Sequence, residues 1–310
     1  MSQSTVNSGD GTTDNTAEWT AAQAADEIIV PAGTYVLDNF RPKSGKVFRC
    51  AGYKNTIIKQ GNMARPAINC LSDASTGQII GLSMKDFSVV GTGAGTVAAV
   101  VVSATAPYVV NKCEFDFVAT NTNTALEIDC TGGNEVYSNK FRVDSFNSLH
   151  TAFKTKGAYN RYDLIAEQCQ DGTALIDGTI CGIFDRCVTD GSQYYGGQNC
   201  TIHTPTVETI FGSSVYTALD FIGYNHTVFN PTLTEVAQAK ISGVGIRVHN
   251  THTLINPRVW GTDYPTYPFG INGASTLIGG SVSCGIKLSA YMTPAALALV
   301  TFVGDSSSYR

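Results

Sequence analysis

Charge is scarce in this chain of 310 residues: only 15% are Asp, Glu, Lys or Arg, and the formal net charge is −5. Lys and Arg form no cluster, so nucleic acid is not expected as a partner. No run of eighteen apolar residues exists, and the longest candidate, Ala295–Val303, is short and follows Pro294; membrane insertion is not expected. Ser2, Gln3, Ser4 and Thr5 after Met1 do not begin a basic and then apolar stretch, so no signal peptide is expected. The nine cysteines include no C-x-x-C pair, which argues against a zinc site, and most are read as reduced core fillers of a chain made in a cytoplasm. A serine-nucleophile elbow and a phosphate loop are both lacking. No cofactor or metal is implied.

What the chain does have is a repeat. Apolar pairs spaced five apart recur at Ile58/Met63, Met84/Val89, Val110/Phe115, Val136/Phe141, Leu164/Cys169, Ile183/Val188, Ile202/Val207, Val228/Leu233, Leu254/Val259 and Leu277/Val282. Successive first members lie 26, 26, 26, 28, 19, 19, 26, 26 and 23 residues apart. A period in this range marks a stacked solenoid. The flanking residues are Val, Ile, Thr, Phe and Tyr, broken every few positions by Gly, Asn, Asp or Pro, so the units are short strands rather than amphipathic helices.

Pro205, Pro231 and Pro257 each fall three residues after a first seat. Proline cannot sit in a central strand, so a recurring proline marks a corner. A third strand precedes each corner, as in Thr124–Ile128, Thr151–Lys154, Thr173–Ile176, Thr217–Phe221 and Gly245–Val248. Three strands and three bends per coil describe an all-β, single-stranded parallel β-helix of about ten coils, roughly 45 Å long at about 4.8 Å per coil. Parallel crossovers make it right-handed. An antiparallel sandwich, the competing architecture, would not hold a spacing of 26. The expected organisation is an N-terminal cap over residues 1–45, a β-helix body over 46–290 and an end segment over 291–310.

The cap begins with Gly9-Asp-Gly-Thr-Thr-Asp-Asn-Thr, followed by a predicted helix over Thr16–Ala25 that Asp14 or Asn15 can cap, and then by Val30-Pro-Ala-Gly-Thr-Tyr. Asp10 and Asp14 lack the further acids of a calcium loop and are read as turn and cap residues. This opening resembles that of the pectate-lyase-like β-helix superfamily, in the version found in phage tailspikes and capsule depolymerases. The resemblance implies a homotrimeric enzyme on a virion tail, assembled in the host cytoplasm, that binds and cuts a bacterial surface polysaccharide, either capsule or O-antigen. The chain departs from that pattern in lacking an obvious anchoring domain before Gly9 and a trimerising domain at its end.

Chemistry in a solenoid sits on outward side chains and loops. Counted from the second seats, Asp171, Asp190, Glu208 and Glu235 fall in one line on the side where coil length varies. Neighbouring coils would hold these carboxylates about 4.8 or 9.6 Å apart, spacings that suit retaining or inverting glycosidases. Crowded like charges also raise one pKa, making an acid beside a base. Tyr194, Tyr195, Trp260, Tyr264 and Tyr267, with Tyr224 further round, offer rings on which sugars stack, and Asp263 is a second-tier acid. A second ladder, Glu127, Lys154, Ile176, Tyr195, Asp220 and Arg247, reads as structural or as a subunit contact, with Arg247 a secondary substrate contact. A lyase would need a cation and a base, for which Arg247, His249 and His252 are the compact basic group. Endo-hydrolysis is the favoured reading; the alternatives are a lyase of the same fold and a non-catalytic carbohydrate-binding fibre module.

Overall fold

A computed structural model of the chain describes residues 1–91, 97–130, 135–149, 152–170, 180–185, 200–211, 215–221, 225–234, 241–248, 252–260, 267–271, 275–279, 281–283 and 300–303. Every strand pairing in it is parallel and joins one coil to the next, which makes the protein a parallel β-helix. A coil has three walls. One coil runs through Glu114–Thr120 on a long face, Thr124–Cys130 on a second face and Val136–Tyr137 on a short third wall. The next coil then resumes the long face at Lys140–Phe146. The long-face strands belong to an eighteen-stranded sheet, the second face is an eight-stranded sheet and the third wall has three strands.

Strand alternation sends every second residue inward, and the register lines these residues up in columns. Ile28, Phe48, Met84, Phe115, Phe141, Tyr162, Ile202, Val228, Leu254, Leu277 and Phe302 occupy one column of the long face. Ile58, Val89, Ala119, Ser145, Ala166, Val207, Leu233, Val259 and Val282 occupy the next. Within the first column the rings stack directly: Phe115 on Phe141 and Phe141 on Tyr162, both at 5.5 Å between centroids.

These columns correct the seat assignment. Met84/Val89 and the four pairs from Ile202/Val207 onward share the two columns. In between, the long-face pairs are Phe115/Ala119, Phe141/Ser145 and Tyr162/Ala166, spaced four apart. Val110 and Val136 stand on the third wall, Ile183 stands on the second face, and Met63 is exposed. A straight strand returns to the same side every second residue, so inward seats fall four apart. One extra residue makes the spacing five. Asp86, with φ 62°, supplies it at Met84/Val89, where the register shifts.

Asn230-Pro231 and Asn256-Pro257 supply it further on, each as a corner between short strands, with φ of 49° and 54° at the asparagines. Asn256 Nδ2 donates to Asn230 Oδ1 at 3.0 Å, tying successive corners together. Pro205 lies level with the Asn230-Pro231 corner of the next coil but does not break its own strand. It lies inside the strand Thr201–Phe211 in a bulge, where Thr204 and Pro205 face the single residue Leu164, so the missing N–H leaves no gap in the ladder.

The two intervals of 19 residues also disappear. The strand Arg161–Gln170 pairs directly with Thr201–Phe211, so Tyr162 to Ile202 is one long coil. Its second-face strand is Ile180–Asp185, and Thr173–Ile176 lies outside the described residues.

The helix spans Thr16–Ala22, shorter than expected, and buries Trp19 over the end of the coil against Tyr35, Phe40 and Phe48. Asp14 Oδ1 accepts the Thr16 N–H, and Asp10 Oδ1 accepts the N–H groups of Thr12 and Thr13, so both acids do turn duty. The glycines of the opening motif are required by close approach. A Cβ on Gly9 would lie 2.2 Å from Thr34 O, and one on Gly33 would lie 2.7 Å from Gly9 N.

A buried polar column runs beside the core at the bend before the long face: Cys113, Asn139, Asn160, Cys200, His226 and His252. The Cys113 N–H donates to Asn139 Oδ1 and the Asn139 N–H to Asn160 Oδ1. Further along, the Cys200 N–H donates to His226 Nδ1 and the His226 N–H to His252 Nδ1. Side-chain acceptors thus satisfy backbone donors that the bend takes out of the ladder. Burial pushes the thiols of Cys113 and Cys130 up to about 11, so they are packed fillers rather than nucleophiles.

Candidate functional site

Outward residues of the long face are set by the same register as the core. One outward row reads Lys85, Asp116, Arg142, Asp163, His203, Phe229, Ile255 and Ile278. The neighbouring row reads Val118, Asp144, Ile165, Thr206, Thr232 and Arg258. The acidic residues of both rows come from Glu114–Thr120, Lys140–Phe146 and Arg161–Gln170, strands that open on alternating polar and apolar residues.

This part of the face is a connected cluster. Tyr53 Oη donates to Asp116 Oδ1 at 2.5 Å, and Arg142 Nη1 lies 3.9 Å from Asp116 Oδ2. Lys85 Nζ lies 2.6 Å from Glu114 Oε2. A concavity of about 260 Å³ opens here, lined by Glu114, Asp116, Lys140, Arg142, Arg161 and Asp163 together with Phe115 and Phe141. Pairs this exposed contribute about 0–1 kcal/mol each to stability, so fold stability alone does not account for the cluster.

Asp144 is the exceptional member. Its row neighbours on the adjoining coils are Val118 and Ile165, so half-burial among apolar groups raises its pKa above the ordinary carboxylate value. Arg142 opposes that shift, while the charges of Asp163 and Asp116 add to it. Asp116 and Asp163 each sit one coil across and two residues along from Asp144, a backbone separation of roughly 8 Å. Burial and hydrogen bonding to Asp116 also raise the Tyr53 phenol, which keeps it a donor. His203 stacks on Phe229 at 5.1 Å, and its pKa is lowered by burial and then by the Arg161 charge.

The predicted residues fall in several places. Glu208 lies in Thr201–Phe211, and the residue opposite it on the adjacent coil is Glu167. Thr234 and Trp260 follow Glu208 in the same row, so Glu208 and Trp260 share the long face. The line drawn through Asp171 and Asp190 used seats that the register separates, since Cys169 opposes Ile210 and Ile183 belongs to the second face. Arg247 and Tyr267 also belong to the second face, where Arg247 stands between Asp220 and Gly270 and Tyr267 opposes Val244. In that ladder Phe184 takes the place expected for Ile176 and Tyr195. Asp171, Asp190, Tyr194, Tyr195, Tyr224, Glu235, Asp263 and Tyr264 lie outside the described residues. His252 is 1% exposed and engaged in the polar column, so it is not part of an accessible basic group with Arg247.

No protein-family model matches the chain, and no curated protein does. Among solved structures, it is similar to ORF18 of Geobacillus virus E2, at 11% identity with a TM-score of 0.46 over 88% of this chain and 59% of that one. The catalytic domain of a GH87 alpha-1,3-glucanase in complex with nigerose gives 14% identity and a TM-score of 0.40 over 98% and 68% of the two chains. Tailspike protein 3 of bacteriophage CBA120 gives 11% identity and a TM-score of 0.32 over 96% and 58%. The chain thus spans less than two thirds of the length of the first and last of these proteins.

Proposed function

We propose that the protein binds a bacterial surface polysaccharide, capsule or O-antigen, along the outward long face and cleaves it as an endo-acting glycoside hydrolase. The observation that carries this reading is Asp144, a half-buried carboxyl with a raised pKa, flanked on the adjoining coils by Asp116 and Asp163 at a backbone separation of about 8 Å. Glycosidases need one carboxyl held protonated as the general acid and a second held ionised, and inverting enzymes keep the two carboxyl groups about 6.5–9.5 Å apart, a range within reach of side chains whose backbones are about 8 Å apart. Asp144 is the acid in this assignment and Asp163 the base. Tyr53 and Arg142 fix Asp116, which keeps negative charge beside Asp144.

Glu167 and Glu208, opposed on adjacent coils, add two acids to the charged face on the side of Trp260, whose indole is a stacking platform for sugar in this reading. Asp171, Asp190 and Glu235 belong to the alternative acid set with Glu208. Tyr194, Tyr195, Tyr224, Tyr264 and Tyr267 are further stacking contacts, and Asp263 and Arg247 are polar contacts. A homotrimeric assembly on a phage tail is part of the proposal and rests on the resemblance of the N-terminal motif.

The test is release of reducing ends from a panel of capsular and O-antigen polysaccharides. The wild type releases them, and Asp144→Asn and Asp163→Asn each slow release by about 10²-fold or more. Unchanged cleavage in both variants overturns the assignment and directs attention to Glu208→Gln. Ultraviolet absorbance from an unsaturated product identifies a lyase instead. Binding without any cleavage identifies a fibre module.

A further inference from the structure

A second cavity lies away from the charged long face, beside the cap helix, and its charged lining is basic. A groove of about 630 Å³, within the roughly 300–1,000 Å³ of small-molecule sites, runs between the segment Asn39–Lys46 and the turn Ser75–Ile79. Arg41, Lys43 and Lys46 line it, together with Thr20, Ser44 and Thr76, and among the described residues no acidic side chain does. Lys46 Nζ is 3.7 Å from Asp26, while Arg41 and Lys43 have no ion-pair partner among the described residues. The nearby acid Asp73 is consumed by its own turn, accepting the N–H groups of Ser75 and Thr76.

The groove is held open by buried groups. Gln23 is 2% exposed, and both ends of its amide hold the cationic segment: Nε2 donates to Arg41 O at 3.1 Å and Oε1 accepts the Lys43 N–H at 2.6 Å. Pro42 between them has a fixed φ. The opposite wall is joined through Ser44, whose Oγ donates to Ile80 O at 3.0 Å and accepts the Ile80 N–H at 2.9 Å. Buried Pro42 and Ile79 give the groove an apolar floor. Two unpaired cations on a tethered backbone, hydroxyls alongside and an apolar floor suit a hydroxylated ring that carries an anionic group. A bare inorganic ion would not use the floor.

We propose that this groove is a second glycan subsite, and that it takes a carboxylate-bearing sugar unit. The proposal rests on the reading of the protein as carbohydrate-binding and gives its substrate a class, an acidic polysaccharide. The net charge of −5 makes the attraction local, so binding weakens as salt is added. The experiment is calorimetric titration of the full chain with a hexuronic-acid oligosaccharide, its carboxyl-reduced neutral counterpart, a sulfated oligosaccharide of the same length and inorganic phosphate. The double variant Arg41→Ala/Lys43→Ala is titrated in parallel. Both side chains are exposed, so its thermal midpoint stays at the wild-type value.

The expected result is that the uronic oligosaccharide binds, that its neutral counterpart does not, and that the double variant loses about tenfold or more in affinity. Tighter binding of the sulfated sugar assigns the anion to sulfate and overturns the carboxylate assignment; phosphate alone binding as well as the sugar overturns the glycan subsite. Equal affinity of the double variant and the wild type overturns the proposal entirely. Cleavage is scored separately with Asp144→Asn. A failure there leaves the titration standing, and a flat titration leaves the hydrolase assignment standing.

Discussion

The outward row Lys85, Asp116, Arg142, Asp163 and His203 continues on the next coils as Phe229, Ile255 and Ile278, while the inward column beneath it stays apolar from Ile28 to Phe302. One face therefore has two chemistries on a single scaffold. Before His203 the row alternates in charge and borders the charged concavity; beyond it the row is apolar and half-exposed, with Thr227, Thr253 and Thr276 in the row alongside. Winding is dictated by what points inward, and the outward row is free to change. Residues on the two sides of one strand should accordingly fail in different ways.

The sharpest contrast is between Phe141 and Phe229. Phe141 stacks on both Phe115 and Tyr162, and Phe141→Ala should cost about 3–5 kcal/mol in chemical denaturation. Phe229 points outward against His203, and Phe229→Ala should cost no more than about 1 kcal/mol. Equal losses would mean that the outward apolar row is covered in the folded protein, and the division between the two sides would fail.

The polar column separates a packing role from a hydrogen-bonding one. Asn139→Leu keeps the volume but strands the Cys113 N–H in a buried bend, and about 1–3 kcal/mol should be lost. Lys140→Ala, next in sequence but outward and exposed, should fall within about 0.5 kcal/mol of wild type. His226 and His252 do for the later coils what Asn139 and Asn160 do for the earlier ones. His226→Leu should therefore destabilise as Asn139→Leu does, and His226→Asn should lose less.

How much was legible follows the same division. The solenoid was readable because columns demand apolar residues at a fixed interval, and the cap was readable because Gly9 and Gly33 have no room for a Cβ. Seat register was not readable. A spacing of five holds only where a corner or bulge adds a residue, as at Asp86, Pro205 and Asn230-Pro231, so straight strands such as Phe115–Ala119 were paired one wall too early. That slip, and the single long coil from Tyr162 to Ile202, set Asp171 and Asp190 level with Glu208 on paper. The acids Asp116, Asp144 and Asp163 were overlooked, although Glu-Phe-Asp-Phe, Lys-Phe-Arg-Val-Asp and Arg-Tyr-Asp-Leu repeat the alternation that places them. Aligning the coils on their aromatic residues would have found them. Burial of Asp144 was beyond sequence reach, since Val118 and Ile165 become its neighbours only through coil stacking.

Asp144 also gives the smallest effect and the one that links the two sides of the face. Its folded pKa lies above its unfolded value, so the native state holds the proton more tightly than the unfolded chain does. Stability contributed by this group is therefore present at pH values below the ordinary carboxylate pKa and is lost as pH rises through the folded pKa. Asp144→Asn removes the ionising group, so the variant should melt at a slightly higher temperature than wild type at pH 7, and the difference should shrink to nothing as the buffer is taken below pH 4. Asp10 gives the opposite sign, because its carboxylate accepts backbone N–H groups that hold its pKa down, and Asp10→Asn should be destabilising at pH 7. A melting gain for Asp144→Asn together with loss of cleavage is what an acid kept for chemistry at the expense of stability would show. A melting loss at pH 7 would mean that Asp144 is held by partners that favour its charge, and its role as the proton donor would then be untenable.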